Sequence, residues 1–180
     1  MIANEAITLT RDCSVIEVPG GVRRIVPAGT GVRIIQSLGG SYTVWCQGAM
    51  VRIDAKDADV LGLKPPPEPE LTANGDFNET MVWDQLKQVY DPEIPVNVAD
   101  LGLIYSCVNE PLAGGGRRID VKMAMTAPGC GMADVLKADV EGKLARLPTV
   151  KEVHVEVVFE PPWDPSRMSQ AARLQLGFDL

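Results

Sequence analysis

"IDVKMAMTAPGCGMADVL", residues 119–136, changes its period partway along, and that change decides the fold. Up to Met125 the apolar residues Ile119, Val121, Met123 and Met125 alternate with others, which is the pattern of a strand with one buried face. From Met132 the spacing lengthens. Met132, Val135, Leu136, Val140 and Leu144 fall on one side of a helix expected from about Cys130 to Leu147. Between the two periods lies a tight turn. Pro128 fixes its φ and carries no N–H, while Gly129 and Gly131 let the chain curl and leave space beside the Cys130 sulfur.

Working outward, "DFNETMVWDQLKQVYDPEIP" (76–95) predicts a helix capped by Asp76 or Asn78, with Val82, Leu86 and Val89 inward and Asp91-Pro92 ending it. "LGLIYSCV" (101–108) reads as a strand, followed by the Gly-rich loop "PLAGGGRR" (111–118). On the far side of the central helix, "VKEVHVEVVF" (150–159) is a third strand expected to bury Val153, Val155, Val157 and Phe159. "WDPSRMSQAARLQL" (163–176) opens a last helix, with Asp164 as cap and Pro165 at its first position. The order is α-β-β-α-β-α, an α+β domain over 76–180 whose small sheet is covered by helices.

The chain before it reads differently. Between residues 5 and 62, five short β-branched runs end in Gly or Pro, and Gln47-Gly48 looks like a hairpin turn. That spacing predicts a small SH3-like β-barrel or roll over 1–63. The glycines of "GGSYTV" and "PAGTG" are turn glycines, because no Gly-Lys-Ser/Thr and no helix follows them. "KPPPEPELTANG" (64–75) is a Pro-rich, extended linker.

Composition narrows the function. The chain has 180 residues, 46% apolar and 23% charged, which is a globular balance. A net charge of −7 without basic clusters argues against nucleic acid. No apolar run is long enough to cross a bilayer, and "MIANEAITLTRDCSVIEV" lacks a signal pattern, so a cytoplasmic protein with no membrane partner is expected. The four cysteines, Cys13, Cys46, Cys107 and Cys130, have no CxxC spacing, against both a disulfide scaffold and a four-thiolate zinc site. The single histidine, His154, sits in a strand pattern and reads as half-exposed.

Cys130 is the residue to watch. At a helix start, amide donors and the positive end of the macrodipole stabilise a thiolate, whereas a structural cysteine needs only an apolar slot. A hydrolase would need a base, and His154 lies on a strand of uncertain side. A permanent cluster needs about four ligands. A soft thiolate holding metal transiently, or sharing it across a dimer or with a client, fits one cysteine better. Thr126, Pro128, Gly129 and Gly131 are its supporting residues. Asp91, Glu93 and Asp100 form a second cluster, either ending a helix in local turns or placing a carboxylate near Cys130. Trp163, set after two prolines, is an exposed recognition aromatic or a wedge holding the last helix. Met123, Met125 and Met132 read as core, and Cys107 as packing.

Taken together, "DPEIPVNVADLGLIY", "MTAPGCGMADVL" and "VEVVFEPPWDPSRMSQAARLQLG" resemble the SufT branch of a small-domain family tied to iron–sulfur cluster maturation, over about residues 78–177. Relatives in that family include eukaryotic cytosolic assembly factors and the PaaD component of phenylacetate degradation. "QSLGGSYTVW" resembles an N-terminal extension of the SufT type. The resemblance implies an auxiliary, non-enzymatic role in cluster assembly, transfer or client maturation, with Cys130 at the family's cysteine position. Asp91, Pro92 and Glu93 match its acidic turn, and Asp100, Leu101 and Gly102 the segment after it. It implies no permanent cofactor, only a transient iron–sulfur cluster or iron. The expected partners are assembly proteins and apo-clients, with a homodimer as one form. Two other classes stay open: a metal-free adaptor docking apo-clients, and a PaaD-like component of an aromatic-degradation monooxygenase.

Overall fold

The computed structural model describes residues 6–65 and 77–178. These form two compact units, one of the residues up to 65 together with Pro92–Pro95, the other of residues 77–91 and 96–178. All but the first two residues of the expected linker lie outside the described residues, as does Asp76.

The first unit is one antiparallel sheet of six strands: β1 (Ile7–Thr8), β2 (Cys13–Val18), β3 (Arg23–Val26), β4 (Gly31–Leu38), β5 (Ser41–Cys46) and β6 (Ala49–Ile53). Their order is β1-β4-β5-β6-β2-β3. Gln47 and Gly48 both have positive φ, 51° and 86°, the turn whose twist suits a two-residue hairpin between Cys46 and Ala49. Inward residues from most of the strands, among them Cys13, Val15, Val26, Val32, Val44 and Ile53, join one apolar cluster. A kinked 3₁₀ segment, Ala55–Leu61, which the sequence reading missed, adds Ala58, Val60 and Leu61 to it. Arg11 forks onto both carboxylate oxygens of Asp59 at 2.8 Å and reaches Asp57 at 2.9 Å, holding the Asp59 carboxyl below its usual range.

Among the described residues the sheet does not close into a barrel. β1 and β3 remain the sheet's edges, and at two and four residues they offer little backbone for a closing ladder. The sixth strand, β1, which the sequence reading did not include, pairs with β4 at one edge.

The second unit keeps the expected order: α1 (Glu79–Leu86), β7 (Ile104–Pro111), β8 (Arg117–Met123), α2 (Ala133–Leu144), β9 (Val150–Val157) and α3 (Gln170–Leu176). Asn78 caps α1, its side chain accepting from the Thr80 amide at 2.9 Å, and Val82, Leu86 and Val89 are buried. The sheet order is β7-β8-β9, with β8 antiparallel to β7 and parallel to β9, so α2 is a crossover helix. Ile119, Val121 and Met123 of β8 and Leu136, Val140 and Leu144 of α2 are buried, as both periods require.

Three boundaries differ from expectation. Phe159 is 58% exposed, because β9 ends at Val157 and alternation lapses where the strand does. α2 begins at Ala133, leaving Cys130 before it. Asp164-Pro165 starts a separate 3₁₀ turn, Pro165–Arg167, and α3 takes its own cap from Ser169, whose Oγ accepts from the Ala172 amide at 3.2 Å.

Candidate functional site

Register brings the motif segments together. Ile104 at the start of β7 pairs with Met123 at the end of β8, and Met123 pairs with Val157 at the end of β9. The "ADLGL" segment entering β7, the "TAPGCG" loop leaving β8 and the "FEPPW" segment leaving β9 therefore share one end of the sheet. It is the carboxyl end of the parallel pair β8/β9, where open α/β sheets commonly receive ligands.

The Cys130 loop hangs between two buried shoulders, Met125 and Met132. Together with Met123, these methionines are core, as expected. Thr126 is half-buried, Ala127, Pro128, Gly129 and Gly131 are exposed, and Cys130 itself is half-buried. Gly129 has φ +73°, and a Cβ there would meet nothing within 4 Å, so the turn needs its backbone freedom rather than its small size. The Ala133 amide donates to the Cys130 carbonyl at 3.2 Å, closing a turn ahead of the helix. Cys130 thus precedes the N-cap, Met132, by two residues instead of occupying the first helical turn.

Among the described residues, no three His, Cys, Asp or Glu side chains stand close enough to hold a metal ion. Asp100 accepts from Asn97 Nδ2 at 2.7 Å, and its amide donates back to Asn97 Oδ1 at 2.8 Å, so it is tied into a local turn. Asp91 is buried in the second unit, whereas Glu93 is exposed and belongs to the first. His154 is exposed on β9. Cys13 and Cys46 are buried in the first unit's core, where burial pushes the Cys13 thiol up. Cys107 is half-buried in β7, its thiol pushed up to about 11 by burial, with the charge of Glu79 adding to the shift.

Sequence reading missed how the last motif is fastened. Trp163 is half-buried, and its Nε1 donates to the Leu101 carbonyl at 2.8 Å, a contact of the kind the wedge reading expects. The Ser169 amide donates to the Asp100 carbonyl at 2.8 Å, and Arg167 Nε to the Gly102 carbonyl at 3.5 Å. The Arg167 guanidinium lies 3.9 Å from the Tyr105 ring centre, while the Tyr105 hydroxyl donates to the Pro161 carbonyl at 2.9 Å. Gly102 has φ +70°, and a Cβ there would overlap the carbonyl of Arg167. Its lone glycine in "ADLGLIY" was the available signal for a close approach, although nothing local named the partner.

The family described as iron–sulfur cluster assembly protein matches residues 79–157. The chain is 43% identical over 107 residues to a "Fe-S protein maturation auxiliary factor" from Porphyromonas gingivalis (strain ATCC BAA-308 / W83), covering 58% of this chain and 98% of that protein. Against "Fe-S protein maturation auxiliary factor SufT" from Staphylococcus aureus (strain USA300) it is 35% identical over 89 residues, 49% of this chain and 97% of the relative. Among solved structures, a "Domain of Unknown Function DUF59 from Bacillus anthracis" aligns at 36% identity with a TM-score of 0.51, over 55% of this chain and 91% of that one. About half of this chain accounts for nearly all of both relatives.

Proposed function

The chain belongs to the iron–sulfur cluster assembly protein family, and from that premise we propose that it is a cytosolic auxiliary factor that helps assemble or transfer clusters, or mature their clients, through the Cys130 thiolate. The observation that carries the reading is Cys130 itself, half-buried in a glycine-flanked loop at the sheet end where the motif segments emerge. Soft sulfur suits iron, and here iron or a cluster is cargo. One thiolate fills one of a cluster's roughly four ligand positions, and the others come from the donor, the apo-client or a second copy of this chain. Such sharing makes the hold transient, which is what transfer requires.

Anaerobic incubation with iron and sulfide, followed by ultraviolet–visible and Mössbauer spectra, tests this. The expected result is a weak, transferable cluster signal that Cys130→Ser abolishes. A second reading, the metal-free adaptor, is favoured by the lack of a three-ligand group among the described residues. It expects no iron on the wild-type chain and undiminished capture of apo-client by Cys130→Ser.

A further inference from the structure

Four consecutive carbonyls, those of Asp100, Leu101, Gly102 and Leu103, each accept a hydrogen bond, and the donors divide into two groups. The first three bonds come from Ser169, Trp163 and Arg167, while the fourth comes from the amide of Ala124 at 2.8 Å, where the Cys130 loop leaves β8. The strap 100–103 therefore has the C-terminal segment along three of its carbonyls and the base of the Cys130 loop on the next. We propose that residues 161–169 act as a clasp that fixes the Cys130 loop through this strap, with Trp163 and Arg167 as its positioning residues.

Three features make the clasp specific. Gly102 admits the Arg167 backbone where any Cβ would collide, so strap and clasp meet backbone to backbone. Arg167 also stacks on Tyr105, whose hydroxyl holds Pro161, so the two ends of the clasp are joined across one side chain. The Val158 amide donates to the Met123 carbonyl at 2.8 Å, which ties the clasp's root to the residue just before the loop. Loosening the clasp frees the strap first and the Cys130 loop second, while the β8 core is untouched. The bearing on cluster handling rests on the reading of Cys130 given above, but the loop's geometry can be read without it.

The test uses the full chain and Trp163→Phe, which keeps a ring and deletes the one N–H donor. Maleimide labelling is timed at Cys130 and at Cys107, and amide hydrogen exchange is followed at Ala124 and at Ile119. The clasp predicts that Cys130 labelling and Ala124 exchange both rise by about tenfold or more, while Cys107 and Ile119 change by less than about twofold. Arg167→Ala, at an exposed position, should move the same two sites in the same direction by less. It decides the matter alone if the Trp163 variant does not fold. Unchanged Cys130 and Ala124, or equal acceleration at all four sites, would overturn the proposal, the second because it reports general loosening. Neither result depends on whether Cys130→Ser loses cluster handling, so the two readings fail separately.

Discussion

At the scale of the residue, two glycines with nearly equal φ should behave differently. Gly129→Ala carries only the left-handed backbone cost, about 1 kcal/mol, since its Cβ has open space. Gly102→Ala adds a collision with backbone that cannot swing away, and should cost roughly 2 kcal/mol or more. Urea unfolding of the two variants checks the ranking, and equal losses would contradict it. Cys107 supplies a pH dependence. Burial raises its thiol from an ordinary value of 9.0 to about 11, so the native state keeps a proton that the unfolded chain gives up. Stability from this group is thus complete below about pH 9 and is lost as pH rises toward about 11. Between those values wild type should lose more stability than Cys107→Ala, and parallel pH profiles would refute the assignment. Much at this scale was legible. The burial of Ile119, Val121 and Met123 follows from alternation, and the Cys130 turn from Gly129, whose φ is positive. The need for Gly102 was not legible, because it is imposed by Arg167, which no local pattern connects to it.

At the scale of the element, propensity and periodicity located the α-helices and strands of the second unit, while the separate 3₁₀ turn was missed and other errors fell at element ends. α1 has only eight residues, so its cap matters. Asn78→Ala should cost about 1 kcal/mol, measured by thermal or urea unfolding, and no change would mean that tertiary packing alone holds the first turn. The Asp164-Pro165 signal was real but marked a 3₁₀ turn, because Ser169 provides a second cap five residues later. Phe159 misled for a related reason. Alternation predicts burial only while the chain stays in the sheet, and the Val158 amide is the last one tied back to β8. In the first unit, five strands were readable from β-branched runs, but β1 has two residues and carries no period at all. Closure of the sheet depends on such edges, which is why the barrel was beyond the sequence's reach.

At the scale of the whole molecule, the described residues form two compact units. The Pro-rich composition of residues 64–75 leads us to expect that limited proteolysis there separates an N-terminal fragment from a C-terminal one, each stable enough to isolate. Digestion that yields no stable fragment would count against two independently folding domains. Apart from Pro92–Pro95, the family match lies in the second unit, and so does Cys130. In the sequence, Asp91, Asp100, Cys130 and Trp163 lay scattered across three motifs; register gathered the motif ends, whereas the side-chain distances among them depend on loops that carry no period. Whether maturation runs through the Cys130 thiolate is decided by one paired experiment. Cys130→Ser is expressed in cells lacking the native protein, and the activity of their iron–sulfur enzymes is recorded alongside the melting curve of the purified variant. The account predicts a variant that melts close to wild type, within ~1 kcal/mol, because the change opens no large cavity and buries no charge, yet restores little or none of the enzyme activity. Full restoration by a well-folded Cys130→Ser would contradict it.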